Sequence, residues 1–132
     1  MSWLSVLRGV ILLLISWTAT AQDTVPDADI AVEPSTIGFD LSVIGPDGLI
    51  GAADARRALD YEYCIPDDPR VLAEVQAIDP SAKPQPGVRG RIGCRVGEVL
   101  VLGNSHQPDA VDVLRRLERL PYIRRIERAW FE

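Results

Sequence analysis

Cys64, Cys94 and His106 are the side chains best suited to chemistry in this chain, which holds no other cysteine or histidine. A Cys-Cys-His set is a zinc-binding combination. A cysteine pair is a disulfide or a redox couple, and a lone histidine is an acid or base near neutral pH. No C-x-x-C spacing is present, so the redox reading lacks its usual motif. A Cys64–Cys94 bond would close a loop of roughly 31 residues and contribute about 3–4 kcal/mol on the loop-entropy account. His106 lies in Gly103-Asn104-Ser105-His106-Gln107-Pro108, a stretch rich in turn formers. Asn104, Glu62, Arg89 and Arg91 are the polar residues expected near it, and together they form a candidate binding group. The alternative is that Asn104 and Ser105 only make turn hydrogen bonds and His106 helps cap a helix.

The elements that must position these residues follow from the hydrophobic pattern. Tyr61-Glu62-Tyr63-Cys64-Ile65 reads as a strand, ended by Pro66. Asp68 is a suitable N-cap and Pro69 suits a first helical turn. Val71, Leu72, Val75 and Ile78 then share one helical face, and Asp79-Pro80 stops the helix. Pro84, Pro86 and Gly87 make a stiff connection to an expected second strand over residues 88–94. Arg95-Val96-Gly97 turns the chain into a third strand that begins at Glu98. Pro108-Asp109 open a second helix with an apolar stripe of Ala110, Val113, Leu114 and Leu117. A last strand is expected over residues 122–131. The order β-α-β-β-α-β is that of the ferredoxin-like sandwich, an α+β fold with an antiparallel sheet and two helices on one face. That order names no activity, because such folds host many.

The order has consequences for the chemistry. Both cysteines fall near the C-terminal ends of the two parallel strands, at one end of the sheet. His106 leaves the third strand at the other end, which argues against a joint metal site. A direct disulfide between those strands is awkward. Next-nearest strands lie about 9–10 Å apart, whereas disulfide Cα atoms are usually about 4.4–6.8 Å apart. The Arg95–Gly97 turn would have to curl over the third strand.

Residues 1–21 read as a signal peptide, with Arg8 ahead of Val10-Ile11-Leu12-Leu13-Leu14-Ile15 and an Ala19-Thr20-Ala21 cleavage pattern. Periplasmic or secreted localisation follows, a compartment where a disulfide persists. Residues 22–36 form an acidic, flexible lead-in containing Pro26 and Pro34. In residues 37–60, Phe39, Leu41 and Val43 alternate with Asp40 and Ser42 before Gly45-Pro46-Asp47-Gly48, an expected hairpin. Residues 61–132 make the ferredoxin-like domain. Residues 22–60 carry eight acids against Arg56 and Arg57, whereas residues 61–132 balance eleven acids with eleven bases. No polybasic footprint marks nucleic acid as a partner, and no membrane segment remains after signal cleavage. No cofactor motif and no metal-binding motif is present.

Val99-Leu100-Val101-Leu102 is apolar on both faces, and a strand of that kind wants cover on both sides. Two helices cover one face. Either the 37–60 hairpin or a second chain is expected on the other. Tyr61, Tyr63, Trp130 and Phe131 are candidate interface residues on the same reasoning, or ordinary core. Arg115, Arg116, Arg119, Arg124, Arg125 and Arg128, interrupted by Glu118 and Glu127, either receive an acidic partner or solvate a helix and an edge strand.

The helix followed by Leu120-Pro121-Tyr122-Ile123 and a charged strand resembles the end of subtilisin-type propeptides and related protease inhibitors. The resemblance implies the same sandwich; those inhibitors use a tail beyond the last strand, whereas Glu132 ends the expected strand here. Acylphosphatases share that fold, but their Arg-containing phosphate loop has no counterpart after residues 61–65. The paired-Cys loop of heavy-metal-binding domains is also missing. The expected function is an exported, non-enzymatic binding module whose partner is another protein or a second copy, with inhibitor or immunity-type roles within that reading. The alternative is a small enzyme or ligand-binding domain centred on His106 with Glu62, Arg89 and Arg91.

Overall fold

In the order of the chain, a computed structural model describes residues 34–131. They lie in one compact unit, Val32–Glu132. The leader and most of the acidic lead-in fall outside the described residues. The fold is α+β, with two helices and two antiparallel sheets. A 3-10 turn, Leu41–Val43, comes first. Strand β1, Leu49–Ile50, pairs with β2, Arg57–Ala58, as a small two-stranded sheet. The remaining elements are β3 (Asp60–Pro66), α1 (Pro69–Ile78), β4 (Lys83–Gln85), β5 (Glu98–Asn104), α2 (Ala110–Glu118) and β6 (Ile126–Arg128). The larger sheet has the order β4-β5-β3-β6, and every neighbouring pair is antiparallel.

Local chemistry accounts for both helices. The Asp68 carboxylate accepts from the Arg70 N–H at 2.8 Å, and Pro69 opens α1 where its missing N–H costs nothing. Asp109 precedes α2 in a left-handed conformation, φ 55°, and its side chain makes no cap bond. The stripe Ala110, Val113, Leu114 and Leu117 is buried. It joins Val75 of α1 and Tyr61, Tyr63, Ile65, Val99, Val101 and Ile126 of the sheet in the main core.

Three expectations change. The strand expected at Phe39–Val43 by alternation is the 3-10 turn, capped by Asp40, and the hairpin in this region is β1 with β2 instead. Ile37, Ile44 and Ile50 drop into the main core, so this extension packs on the helix side. The second strand is three residues around Pro84, not residues 88–94. Gly87, Gly90, Gly93 and Gly97 all have positive φ, which a strand does not accommodate, so the 86–97 stretch is a loop. Pro84 is tolerated because β4 is an edge strand. The last strand shortens to three residues, and Trp130 and Phe131 follow it exposed.

The loop answers the question posed by the double-sided strand. Gly90 lies directly on Leu100: a Cβ there would sit 2.9 Å from a Leu100 methyl and 3.1 Å from Glu62 Oε2. Cys64, Cys94 and Leu100, flanked by Ile92 and Leu102, form a second small core on the sheet face away from the helices. The cover comes from this loop and not from the 37–60 segment.

Candidate functional site

Two polar constructions stand out, one sealed and one exposed. The sealed one begins with β3. Side chains alternate along a strand, so Tyr61 and Tyr63 both point into the helix layer, with ring centroids 6.1 Å apart. Both are fully buried, and a buried hydroxyl needs a partner. Asp79, at the C-terminus of α1 and also fully buried, is that partner. Its Oδ2 accepts from Tyr61 at 2.8 Å and from Tyr63 at 3.1 Å. Its Oδ1 accepts from the Ser81 N–H at 3.0 Å, the Ser81 hydroxyl at 2.6 Å and Gln107 Nε2 at 3.1 Å. Burial, and after it the Asp79 charge, pushes both phenols well above the ordinary tyrosine range. Two buried hydroxyls donating to one buried carboxylate tie the end of α1 to β3 and act as a structural clamp.

The clamp extends to the β5–α2 connection. Asn104 takes a Ser81 acceptor for its backbone N–H at 2.9 Å and donates Nδ2 to Asp60 at 2.7 Å. Ser105, fully buried, donates to the Gly48 carbonyl at 2.6 Å and accepts from the Leu59 N–H at 2.8 Å. Gly48, φ 79°, is obligatory here, because a Cβ would meet the Ser105 carbonyl at 1.9 Å.

The exposed construction is the 86–97 loop. Cys64 and Cys94 are bonded, with Cα atoms 5.5 Å apart. The spacing objection disappears because Cys94 belongs to a loop crossing the sheet face, not to a strand two places away. Glu62, which pairs with Leu102 in register and shares the Cys64 face, accepts from the Ile92 N–H at 2.9 Å. Arg89 Nε donates to the Cys94 carbonyl at 3.1 Å. Arg95 and Glu98 close the exit turn: the Glu98 N–H donates to the Arg95 carbonyl at 3.0 Å, and the Arg95 N–H to Glu98 Oε1 at 2.8 Å. Arg124 Nη2 bonds both Glu98 oxygens, at 2.7 and 3.0 Å. Partial burial raises the Glu98 pKa, but the Arg95 N–H and the Arg124 guanidinium outweigh it and hold the carboxyl below its usual range. Val88, Arg89, Arg91, Arg95 and Val96 are exposed on this frame, Val96 completely, at 106%.

The proposed His106 group is not brought together. Asn104 and His106 share a turn, in which the His106 N–H donates to Asn104 Oδ1 at 2.8 Å, and the His106 side chain is exposed. Glu62 faces the disulfide loop, and Arg89 bonds within that loop. Along β5, Cys64 pairs with Leu100 and Asp60 with Asn104, which sets the histidine end about 13 Å or more from the cysteines. Tyr61 and Tyr63 are core residues and offer no surface to a partner. Trp130 is exposed at 57%, with Arg128 stacked 4.1 Å from its ring centroid, and Phe131 is exposed at 68%. Arg124 and Arg125 pair with Glu98 and Glu127.

Asp79 and Gln107 were missed as network members, since Asp79-Pro80 reads as a helix stop. The available signal was Tyr61 and Tyr63 at a spacing of two, which aims two hydroxyls at one point beneath a helix end. Comparisons with protein-family models, with curated proteins and with solved structures give no match.

Proposed function

We propose that this chain is an exported, non-enzymatic interaction module that binds another protein through its 86–97 loop. One observation carries the reading. Twelve residues that could have continued a strand are instead held as a loop by a disulfide, a buried glutamate and four left-handed glycines, and they expose Val88, Arg89, Arg95 and Val96. Binding residues concentrate on loops carried by rigid scaffolds, and an anchored loop loses less entropy on docking. The sheet edges favour loop docking over strand addition. Pro84 inside β4 and Pro86 just after it lack backbone N–H donors, and Ile126 of β6 already pairs with residues 36–38.

We read the sheet order, with a helix after β3 and another after β5, as a ferredoxin-like sandwich. Export is supported by the leader pattern of residues 1–21 together with the Cys64–Cys94 bond. The test is site-specific photo-cross-linking in the native exported fraction. A cross-linker at Val96 should give one adduct of defined mass, and one at exposed Gln76 on α1 should not. Equal adducts from both positions, or none from Val96, would overturn the reading.

A further inference from the structure

The geometry points to Cys64 as a thiol–disulfide exchange site, at which a low-molecular-weight thiol opens the Cys64–Cys94 bond and releases the 86–97 loop from the sheet. The exchange site stands independently of the interaction-module reading. The two sulfurs are not equivalent. Cys64, Ile92, Gly93, Arg124 and Arg125 line a small cleft of about 50 Å³, and Cys94 is not among its walls. One water needs about 10–15 Å³ of such space, so the cleft has room for a thiol and the methylene that carries it. Gly93 in its wall stands open, since a Cβ there would meet no described atom within 4 Å. Cys64 keeps 7% of its surface and Cys94 only 2%. An incoming thiolate therefore reaches Cys64 first.

The step balances without an outside electron source. The thiolate sulfur forms a bond to Cys64 Sγ, the Cys64–Cys94 bond breaks, and its electron pair leaves on Cys94 Sγ, which takes a proton from water. One disulfide is consumed and one is made. The surroundings favour Cys94 as the leaving group. Arg89 Nε bonds the Cys94 carbonyl at 3.1 Å, which sets a guanidinium beside that cysteine. Neighbouring positive charge stabilises a thiolate, and the more acidic thiol leaves faster. On the Cys64 side, the buried Glu62 lies on the same face of β3, and Arg124 and Arg125 are each paired with a glutamate, Glu98 and Glu127. A thiolate is worse placed there. The consequence is confined to one sheet face. The disulfide and the Ile92 N–H on Glu62, at 2.9 Å, tie the loop to β3. Exchange removes the covalent tie and loosens the cover on Leu100 and Leu102, whereas the main core lies on the opposite face with the helices.

The probe is reduced glutathione at millimolar concentration, added to the full folded chain at about pH 8, where a useful fraction of the thiol is ionised. Free thiols are then alkylated and both cysteines mapped by mass spectrometry. The glutathionyl group should sit on Cys64 and the alkyl group on Cys94, in about tenfold excess over the reverse arrangement. In urea above the unfolding midpoint the excess should fall to near parity, because the cleft is gone. Hydrogen exchange of the glutathionylated chain should be faster across residues 86–97 and little changed in α1 and α2. A main adduct on Cys94, equal adducts in the folded chain, or adduct formation no faster than global unfolding would overturn the proposal. Unchanged hydrogen exchange in the loop of the glutathionylated chain would overturn it too. The map needs no partner protein. A failed map therefore leaves the module reading standing, and a failed cross-link at Val96 leaves the exchange site standing.

Discussion

Replacing Asp79 by Asn tests whether the buried tyrosine clamp holds α1 to the sheet. The carboxylate accepts from five donors. An asparagine oxygen can keep the Ser81 and Gln107 side, which places its NH₂ against both tyrosine hydroxyls. Tyr61 has Ser81 Oγ nearby at 3.4 Å as a substitute, but Asp79 is the only described acceptor for Tyr63. Hydrogen bonds to a charged acceptor contribute about 1.5–3 kcal/mol each. Removal of a buried charge offsets part of the loss. The expected cost is therefore about 2–4 kcal/mol, a large share of a typical 5–15 kcal/mol stability. Urea unfolding should show a lower midpoint at unchanged slope. The melting temperature should fall by roughly 10–20 °C for a domain of this size. Tyr63→Phe alone should cost about 1–2 kcal/mol. In the double variant the two losses should overlap by about 1 kcal/mol, because both remove the same bond. A cost below about 0.5 kcal/mol for D79N, or strict additivity with Y63F, would refute the clamp.

Four further outcomes follow from the packing around these groups. Cys64→Ser with Cys94→Ser should cost about 3–4 kcal/mol and speed hydrogen exchange in the 86–97 loop more than in β3 or β5, measured by mass spectrometry. Tyr122→Phe should change stability by no more than about 1 kcal/mol in either direction, since its hydroxyl makes no well-formed hydrogen bond and has only the Glu74 carboxylate close to it; chemical denaturation reads the difference. Burial raises the pKa of all three tyrosines, with the Asp79 charge adding to Tyr61 and Tyr63 and the Glu74 charge to Tyr122. The stability linked to these raised groups is complete below the unfolded tyrosine value of about 10 and is lost as pH rises beyond it, so the phenolate absorbance of the fully buried Tyr61 and Tyr63 should appear together with unfolding instead of as a separate step near pH 10. Gly103→Ala should destabilise by about 2–4 kcal/mol, because its Cβ would sit 2.1 Å from the Tyr61 ring that pairs across from it, and lifting that ring breaks the bond to Asp79; thermal melts and near-ultraviolet circular dichroism would register both effects.

Much of the framework is legible in the residues themselves. Asp68-Pro69 starts α1 because a carboxylate cap and a fixed φ act locally. The apolar stripes of α1 and α2 and the two-faced β5 are periodic patterns, and periodicity needs no tertiary knowledge. The pairing of Cys64 with Cys94 follows from their being alone. What the residues could not decide is which sheet face each polar group would meet. Gly-Val-Arg-Gly-Arg-Ile-Gly-Cys contains enough β-branched residues to pass for a strand, and only the left-handed glycines, set by the crossing over Leu100, make it a loop. Glu62 and Asp79 look alike as lone acids, yet one is drawn under that loop and the other beneath two tyrosines, because burial forces each to the nearest donors. His106 and the arginines of the loop are similarly close in sequence but are parted by the length of β5. Local chemistry thus determined the two helices, the two central strands β3 and β5, and the covalent bond. The long-range closing of the loop over the sheet decided what is core, what is clamp and what is left to face a partner.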